Sequence, residues 1–137
     1  MAIREFIRTG ILTLVLAATA GAAHAHRPAG PEGQYCGRME SGDELVEAIT
    51  TFRKGADGRI SGHYRFRDGR KFEPGRLSEA FPILGGRMKL RWKDVYGEGD
   101  FDVGFTPDFS AFEGHWGMTG EKPEYRWTGR RCQGEIS

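Results

Sequence analysis

The stretch that decides the fold is "MKLRWKDVYGEGDFDVGF", Met88–Phe105. Apolar and charged residues alternate on both sides of a glycine-containing break, which indicates two half-buried β-strands joined by a turn. If the two runs pair so that Trp92 faces Phe101, one face of the hairpin is apolar. On the other face Arg91 then lies opposite Asp102. This pairing therefore predicts an apolar inner face and a charged outer face.

The next stretch, "AFEGHWG" (Ala111–Gly117), continues the sheet. Antiparallel pairing with the strands on either side places Gly114 opposite Trp127 and Gly129 opposite Phe112. Glycine weakens a strand unless something approaches it closely, and a large ring across the ladder is such a reason. The glycines therefore predict an interior filled by aromatic rings.

Trp116 has inward parity in this pairing, whereas His115 has outward parity. We predict that Phe101, Trp116 and Trp127 are core residues rather than ligand contacts. The complete set of predicted inward residues consists of large apolar side chains: Val46, Phe52, Ile60, Tyr64, Phe66, Phe72, Leu77, Met88, Leu90, Trp92, Phe101, Val103, Phe105, Phe112, Trp116, Tyr125 and Trp127. An eight-stranded barrel is just wide enough for its own side chains, so these residues are expected to fill it.

The same alternation covers the rest of the chain and breaks at turn residues about every ten positions, as is typical of an all-β sandwich or barrel. Short connections favour a meander, which can close into a barrel without free edges. A short helix over 42–52 is the competing interpretation of one segment. The predicted strands are 34–40, 45–53, 59–67, 70–78, 87–93, 99–106, 110–117 and 124–132.

The turn between the third and fourth strands admits two geometries. A two-residue loop would turn Phe72 outward. A three-residue loop, 67–69, with Gly69 in the left-handed region, would pair Tyr64 with Phe72 and keep both rings inside. The bulged, three-residue form is the one we predict.

The first 25 residues have the features of a signal peptide: early arginines, a short apolar run, and an Ala-His-Ala motif that predicts cleavage after Ala25. The mature chain would then have 137 − 25 = 112 residues, enough for one domain. Residues 26–33 are predicted to be a flexible arm and 34–137 a small barrel. No second apolar segment follows, so no membrane span is expected.

The two cysteines, Cys36 and Cys132, fall on the first and last predicted strands. In an exported chain they are expected to form a disulfide that ties the ends of the barrel together. The predicted location is therefore the periplasm or the extracellular medium.

The full chain has 20 basic and 19 acidic residues, and loss of the signal peptide (Arg4, Arg8 and Glu5) leaves the mature chain near neutrality. A nucleic-acid-binding domain normally has a basic excess, so no nucleic-acid partner is expected. Residues 53–76 are mainly basic, and 94–121 contain neither Lys nor Arg. This split predicts a dipolar surface, unless the basic residues of the fifth strand neutralise their acidic neighbours.

The "GHYRF" (62–66) and "FEGHWG" (112–117) segments resemble the Gly-x-Tyr and Gly-x-Trp strands of small exported calycin-type barrels, the avidin and lipocalin-like group. The resemblance is one of pattern across most of the mature chain, and it implies an exported meander barrel. The Gly-x-Trp motif of lipocalins is absent near the first strand, where Arg38 and Met39 follow Gly37. No ligand-binding residue of that group carries over to this sequence.

Metal sites and catalysis have weaker support in the sequence. His26, at the predicted mature N-terminus, could bind copper with a second histidine, and the acidic segment 94–102 could bind calcium. The latter matches no calcium-loop spacing. No Ser-His-Asp or Cys-His arrangement is recognisable, and a narrow barrel has little room for the paired carboxylates of a glycosidase. The chain is therefore predicted to be neither an enzyme nor a cofactor protein.

The predicted function is that of an exported, non-catalytic binding or inhibitor protein, monomeric, acting on an unknown protein or small-molecule ligand in the cell envelope. Its candidate binding residues are Tyr96, His115, Arg126 and Arg130. A lipocalin-like carrier of a small apolar ligand is the alternative, and a cell-envelope enzyme is the third possibility.

Overall fold

The period-two alternation of the sequence folds into eight antiparallel strands that form one closed barrel in chain order. The computed structural model describes residues 28–133, so the predicted signal peptide, its cleavage site and His26 lie outside the described residues. The helix considered for 42–52 is wrong, since that segment is strand. The strands are β1 (Gly33–Ser41), β2 (Glu44–Lys54), β3 (Ile60–Asp68), β4 (Lys71–Leu84), β5 (Arg87–Asp94), β6 (Gly97–Phe105), β7 (Ala111–Met118) and β8 (Tyr125–Arg131).

The barrel closes where β1 pairs with β8, from Tyr35 opposite Arg131 to Met39 opposite Trp127. A disulfide joins Cys36 of β1 to Cys132, the residue after β8, with the two Cα atoms 4.9 Å apart. The predicted disulfide is confirmed, and it crosses the seam of the barrel. A disulfide of this kind indicates an oxidising, extracellular or periplasmic environment.

The predicted registers are confirmed for β6 with β7, where we expect Phe105 opposite Phe112, and for β7 with β8. Gly114 lies opposite Trp127, and Gly129 lies opposite Phe112. A Cβ atom on Gly114 would lie 2.5 Å from the Phe101 ring, so only glycine fits beside that ring.

The predicted register of β5 with β6 is wrong by two residues. Trp92 lies opposite Gly99 rather than Phe101, although every side chain keeps its predicted face. The cause is the turn: Asp94 pairs with Gly97, and its Oδ1 atom accepts the Tyr96 N–H at 2.8 Å. This local hydrogen bond and the positive φ of Gly97 (144°) reverse the chain earlier than predicted.

The bulged turn predicted between β3 and β4 is also wrong. Asp68 pairs with Lys71 around a two-residue loop in which Gly69 has φ 62°. Phe72 therefore points outward, where the Arg67 guanidinium covers its ring at 4.2 Å. Inside, Tyr64 lies opposite Gly75 instead, which repeats the ring-against-glycine arrangement of β7.

Most of the predicted inward residues are buried. Phe101 and Trp127 are confirmed as core residues, at 0% and 1% exposure, and Val46 and Trp116 are half-buried against the core. Tyr125 is exposed because it begins β8 at the rim, where its ring contacts Trp116. Among the described residues, four further buried side chains were not predicted: Tyr35, Met39, Ala48 and Thr50.

The two ends of the barrel differ. We call the end with the β1–β2, β3–β4, β5–β6 and β7–β8 turns the open end, and the other the closed end. Edge-to-face aromatic contacts fill the closed end, with ring centroids 5.3 to 6.1 Å apart among Tyr35, Phe52, Phe105 and Phe112.

Residues 28–32, the described part of the predicted arm, pass over the closed end. The Tyr35 hydroxyl donates to the Pro31 carbonyl at 3.0 Å. The Arg131 guanidinium donates to the carbonyls of Gly30 and Glu32. These contacts cover the aromatic rings beneath them.

Replacement of Cys36 and Cys132 by serine is expected to lower the free energy of unfolding by up to about 4–5 kcal/mol, because the bridge closes a loop of 96 residues. Urea unfolding of the variant and the parent protein measures the loss. Mass spectrometry of non-reduced peptides should detect the linked pair. Two free thiols in protein exported to an oxidising compartment would contradict this prediction.

Gly114→Ala is expected to destabilise the protein by about 1–3 kcal/mol, since the new Cβ would lie 2.5 Å from the Phe101 ring and 2.6 Å from the Asp102 carbonyl oxygen. Gly104→Ala on the neighbouring strand is the matched control. Its Cβ would meet no atom closer than 3.8 Å, so stability should be unchanged or rise by up to about 1 kcal/mol. Equal effects of the two variants in thermal unfolding would contradict the close-contact interpretation.

Candidate functional site

A cavity of about 250 Å³ lies at the open end of the barrel, and we call it the mouth cavity. The expectation that side chains fill the barrel is therefore wrong at this end. Ser41, the last residue of β1, and Gly42, which follows it, are small and leave space that the surrounding rings do not occupy. The lining is mainly aromatic and thioether surface: Met39, Ser41, Gly42, Tyr64, Phe66, Trp92, Asp94, Tyr96, Trp116, Met118 and Trp127.

Trp127 forms the floor of the mouth cavity. Its ring stacks on Phe101 at a centroid distance of 4.1 Å and meets Tyr64 edge-on at 4.7 Å. Its indole N–H donates to the Thr50 hydroxyl at 3.0 Å. Thr50 is the buried polar residue of the core, and this hydrogen bond satisfies both groups.

Two further indoles form walls. The Trp92 N–H donates to the Gly117 carbonyl, and the Trp116 N–H donates to the Glu40 carbonyl, each at 3.0 Å. Glu40 is the first residue of β1 beyond its ladder with β8, so Trp116 also ties the seam at this end. Because all three indole N–H groups bind the protein itself, the tryptophans offer carbon surface to the cavity.

Asp94 supplies the carboxylate of the mouth cavity. Its Oδ2 accepts the Tyr64 hydroxyl at 2.6 Å, and its Oδ1 accepts the Tyr96 backbone N–H at 2.8 Å. Burial, followed by the hydrogen bond and charge of Asp94, raises the pKa of Tyr64 far above its ordinary value. Tyr64 is therefore a neutral donor that holds Asp94 in place.

A cluster of charged and polar groups lies at the rim. Lys71 pairs with Glu73 at 2.7 Å, and the Tyr96 hydroxyl donates to Asp68 in a short hydrogen bond. The hydrogen bond to Asp68 raises the pKa of Tyr96, and the one to Glu73 raises the pKa of Lys71. Lys71 is thus already paired with an acidic neighbour.

The four predicted binding residues do not form one site. Tyr96 lines the mouth cavity, whereas His115 and Arg126 are cross-strand neighbours on the exposed outer face of β7 and β8. Arg130 lies on the same outer face toward the closed end, opposite Ala111.

Trp116 and Trp127 are packed with the core, but they also line the mouth cavity. Their packing with the core agrees with the prediction, and the exclusion of ligand contacts stays a prediction. Sequence reasoning missed Asp94 as a site residue, although the parity of Leu90 and Trp92 on the same strand could have placed it inward. Met39 and Ser41 were missed because the inward face of β1 was not assigned.

The outer charges of β6 are partly neutralised by β5. Arg91 contacts Asp100 at 3.0 Å and Glu98 at 4.0 Å, and Lys89 contacts Asp102 at 3.7 Å. This supports the alternative to a dipolar surface, with Lys89 rather than Lys93 as the second basic partner. Exposed pairs of this type contribute little to stability.

The carboxylates of the 94–102 segment point to different faces. Asp94 faces the mouth cavity, whereas Asp100 and Asp102 lie on the outer face with basic partners. Across residues 28–133, no three His, Cys, Asp or Glu side chains come together in an arrangement that could hold a metal ion. His63 and His115 lie on the outer strand faces, and His26 is outside the described residues.

Comparison of the chain with protein-family models, curated proteins and solved structures gives no match. The barrel itself is established by the topology of the strands, which agrees with an eight-stranded meander without identifying the calycin group. In the part of the chain that the structure describes, no helix has the length and hydropathy that a membrane crossing requires.

Tyr64→Phe is expected to make stability less sensitive to alkaline pH. A phenol whose folded pKa is raised stabilises the fold fully below its unfolded pKa of 10.0, and this contribution is lost as pH rises above that value. The decline in unfolding free energy above pH 10 should be shallower in the variant by up to about 1.4 kcal/mol per pH unit. Urea unfolding of both proteins at several pH values above 10 measures this decline.

Tyr125→Phe is the matched control for that experiment, because Tyr125 is exposed. It should reproduce the parent slope. Some alkaline loss is expected to remain in Tyr64→Phe, since burial also raises the pKa of Tyr35 to about 12. Equal slopes in all three proteins would contradict the assigned role of Tyr64.

Proposed function

We propose that this chain is an exported, non-catalytic binding protein that holds one small, mainly apolar ligand in the mouth cavity. The observation that supports this function is a cavity of about 250 Å³ walled by aromatic rings whose N–H groups are already bonded within the protein. Concave, mainly apolar sites with a few placed polar groups are typical of small-molecule binding. The carrier interpretation therefore gains support over binding by the outer surface.

The composition of the lining supports binding rather than catalysis. Asp94 is the one carboxylate among the lining residues, and glycoside hydrolysis normally requires two. Ser41 lines the cavity, but no lining residue is a histidine that could activate it as a nucleophile.

The disulfide across the seam supports export, and we place the mature protein, cut after Ala25, in the periplasm or outside the cell. Closure of the sheet supports a monomer, because a closed barrel presents no free strand edge to a second copy. The meander topology and the terminal disulfide are consistent with a calycin-type carrier.

A partner protein is the second candidate ligand. The exposed apolar residues around the mouth support this alternative. Several exposed apolar side chains lie at the open end: Leu45, Val95, Tyr96, Met118 and Tyr125. Such a rim could contact a protein that inserts one side chain into the cavity. This is the inhibitor-type form of the same site.

The three tryptophans of the chain all line the mouth cavity, so their indole N–H signals in ¹H–¹⁵N NMR spectra report on its occupancy. Titration with neutral one- and two-ring fragments such as 2-naphthol is expected to shift these three signals in a saturable way. Ser41→Phe should abolish the shifts, because an aromatic side chain at this inward position occupies the cavity.

Ser61→Phe makes the same change on the exposed outer face of β3 and should leave the titration unaltered. If no fragment shifts the indole signals, or if Ser41→Phe binds as well as the parent protein, the mouth cavity is not the binding site.

A further inference from the structure

The polar groups around the mouth cavity differ in whether they remain available to a ligand. The three indole N–H donors and the Tyr64 hydroxyl are bonded within the protein, and the Tyr96 hydroxyl is directed to Asp68. What is left for a ligand is mainly acceptor capacity: Asp94 Oδ2 accepts the Tyr64 hydroxyl, Oδ1 accepts the Tyr96 backbone N–H, and each oxygen has a second lone pair. A ligand that donates hydrogen bonds or carries positive charge therefore suits this lining.

The aromatic surface of the cavity also favours a positively charged ligand. Six aromatic residues line the cavity: Tyr64, Phe66, Trp92, Tyr96, Trp116 and Trp127. Trp92 and Trp116 meet edge-to-face at 5.3 Å. The face of an aromatic ring is electrostatically negative and attracts a cation, most strongly when the ring is tryptophan and water is excluded.

No cation among residues 28–133 is paired with Asp94. The lining contains neither Lys, Arg nor His, and none of the ion pairs found among residues 28–133 includes Asp94. Lys71, which lies at the rim, is held by Glu73 at 2.7 Å. An anionic ligand, such as a fatty acid, would instead bring its charge next to Asp94 without a compensating group.

We propose that the mouth cavity binds a small organic cation, an alkylammonium or quaternary ammonium group, with Asp94 as counter-ion and the tryptophans as its aromatic walls. This inference rests on the proposed function and specifies its ligand class. The cavity of about 250 Å³ is larger than the roughly 150 Å³ that holds benzene and smaller than sites for drug-sized ligands. A cation larger than benzene and smaller than a drug-sized ligand fits these limits.

The test compares three probes of similar shape that differ in charge: choline, its neutral carbon analogue 3,3-dimethylbutan-1-ol, and the anion 3,3-dimethylbutanoate. Binding to the full-length mature protein is followed by the three indole N–H signals. Choline is expected to bind about tenfold more tightly than the neutral alcohol, and the anion is expected not to bind. This comparison needs no variant, so it does not depend on the folding of a mutant.

Asp94→Asn should lower the affinity for choline to that for the neutral alcohol, so that the preference for the cation is lost. Asp102→Asn is the matched control, since it removes the same charge from the outer face, where Asp102 pairs with Lys89. Its preference for choline should be that of the parent protein. Trp116→Leu removes one aromatic wall and should lower the affinity for choline more than the affinity for the alcohol.

Equal affinity for choline and the alcohol, or an unchanged preference in Asp94→Asn, overturns the cation proposal but leaves the cavity as a site for neutral ligands. If neither these probes nor the neutral fragments shift the indole signals, the proposed function fails together with the cation proposal. Preferential binding of the anion also overturns the proposal.

Discussion

An eight-stranded barrel is just wide enough for its own side chains, and in this structure several large rings fit because a glycine lies beside them on a neighbouring strand. Phe101 has Gly114 against it, and Tyr64 has Gly75 against it; a Cβ atom at either glycine would lie within about 2.5 Å of the ring. The same limit operates at the seam, where a Cβ on Gly37 would meet the backbone of β8. Ring and glycine positions thus select one register from those that the alternation allows.

Rings packed under this limit divide the barrel into two parts. Toward the closed end, edge-to-face aromatic contacts fill the interior, and residues 28–32 cover them. Toward the open end, the series of rings stops at Trp127, and the small residues Ser41 and Gly42 leave the mouth cavity above it. The disulfide between Cys36 and Cys132 holds the two terminal strands together, so the strands that carry the cavity wall are tied at their seam.

The chemistry of the mouth follows from how its polar groups are satisfied. Each indole N–H binds the protein, and two donors, the Tyr64 hydroxyl and the Tyr96 backbone N–H, converge on Asp94. Buried donors and acceptors must find partners, and here the donors find them inside the wall. The cavity that remains is electron-rich, which favours a cationic ligand over the fatty acid or neutral lipid of a typical apolar carrier.

The sequence by itself determined the eight strands, the face of most side chains, the registers of β6, β7 and β8, and the disulfide. Period-two alternation and the glycines opposite Trp127 and Phe112 are signals that the sequence alone contains. The tertiary structure decided the registers of the β3–β4 and β5–β6 hairpins, and the turn between β3 and β4 placed Phe72 on the outer face. Between β5 and β6 the predicted and observed registers differ by two residues, which leaves every side chain on its face, so the alternation cannot distinguish them. The mouth cavity depends on which rings meet across the barrel, and only the three-dimensional packing sets that.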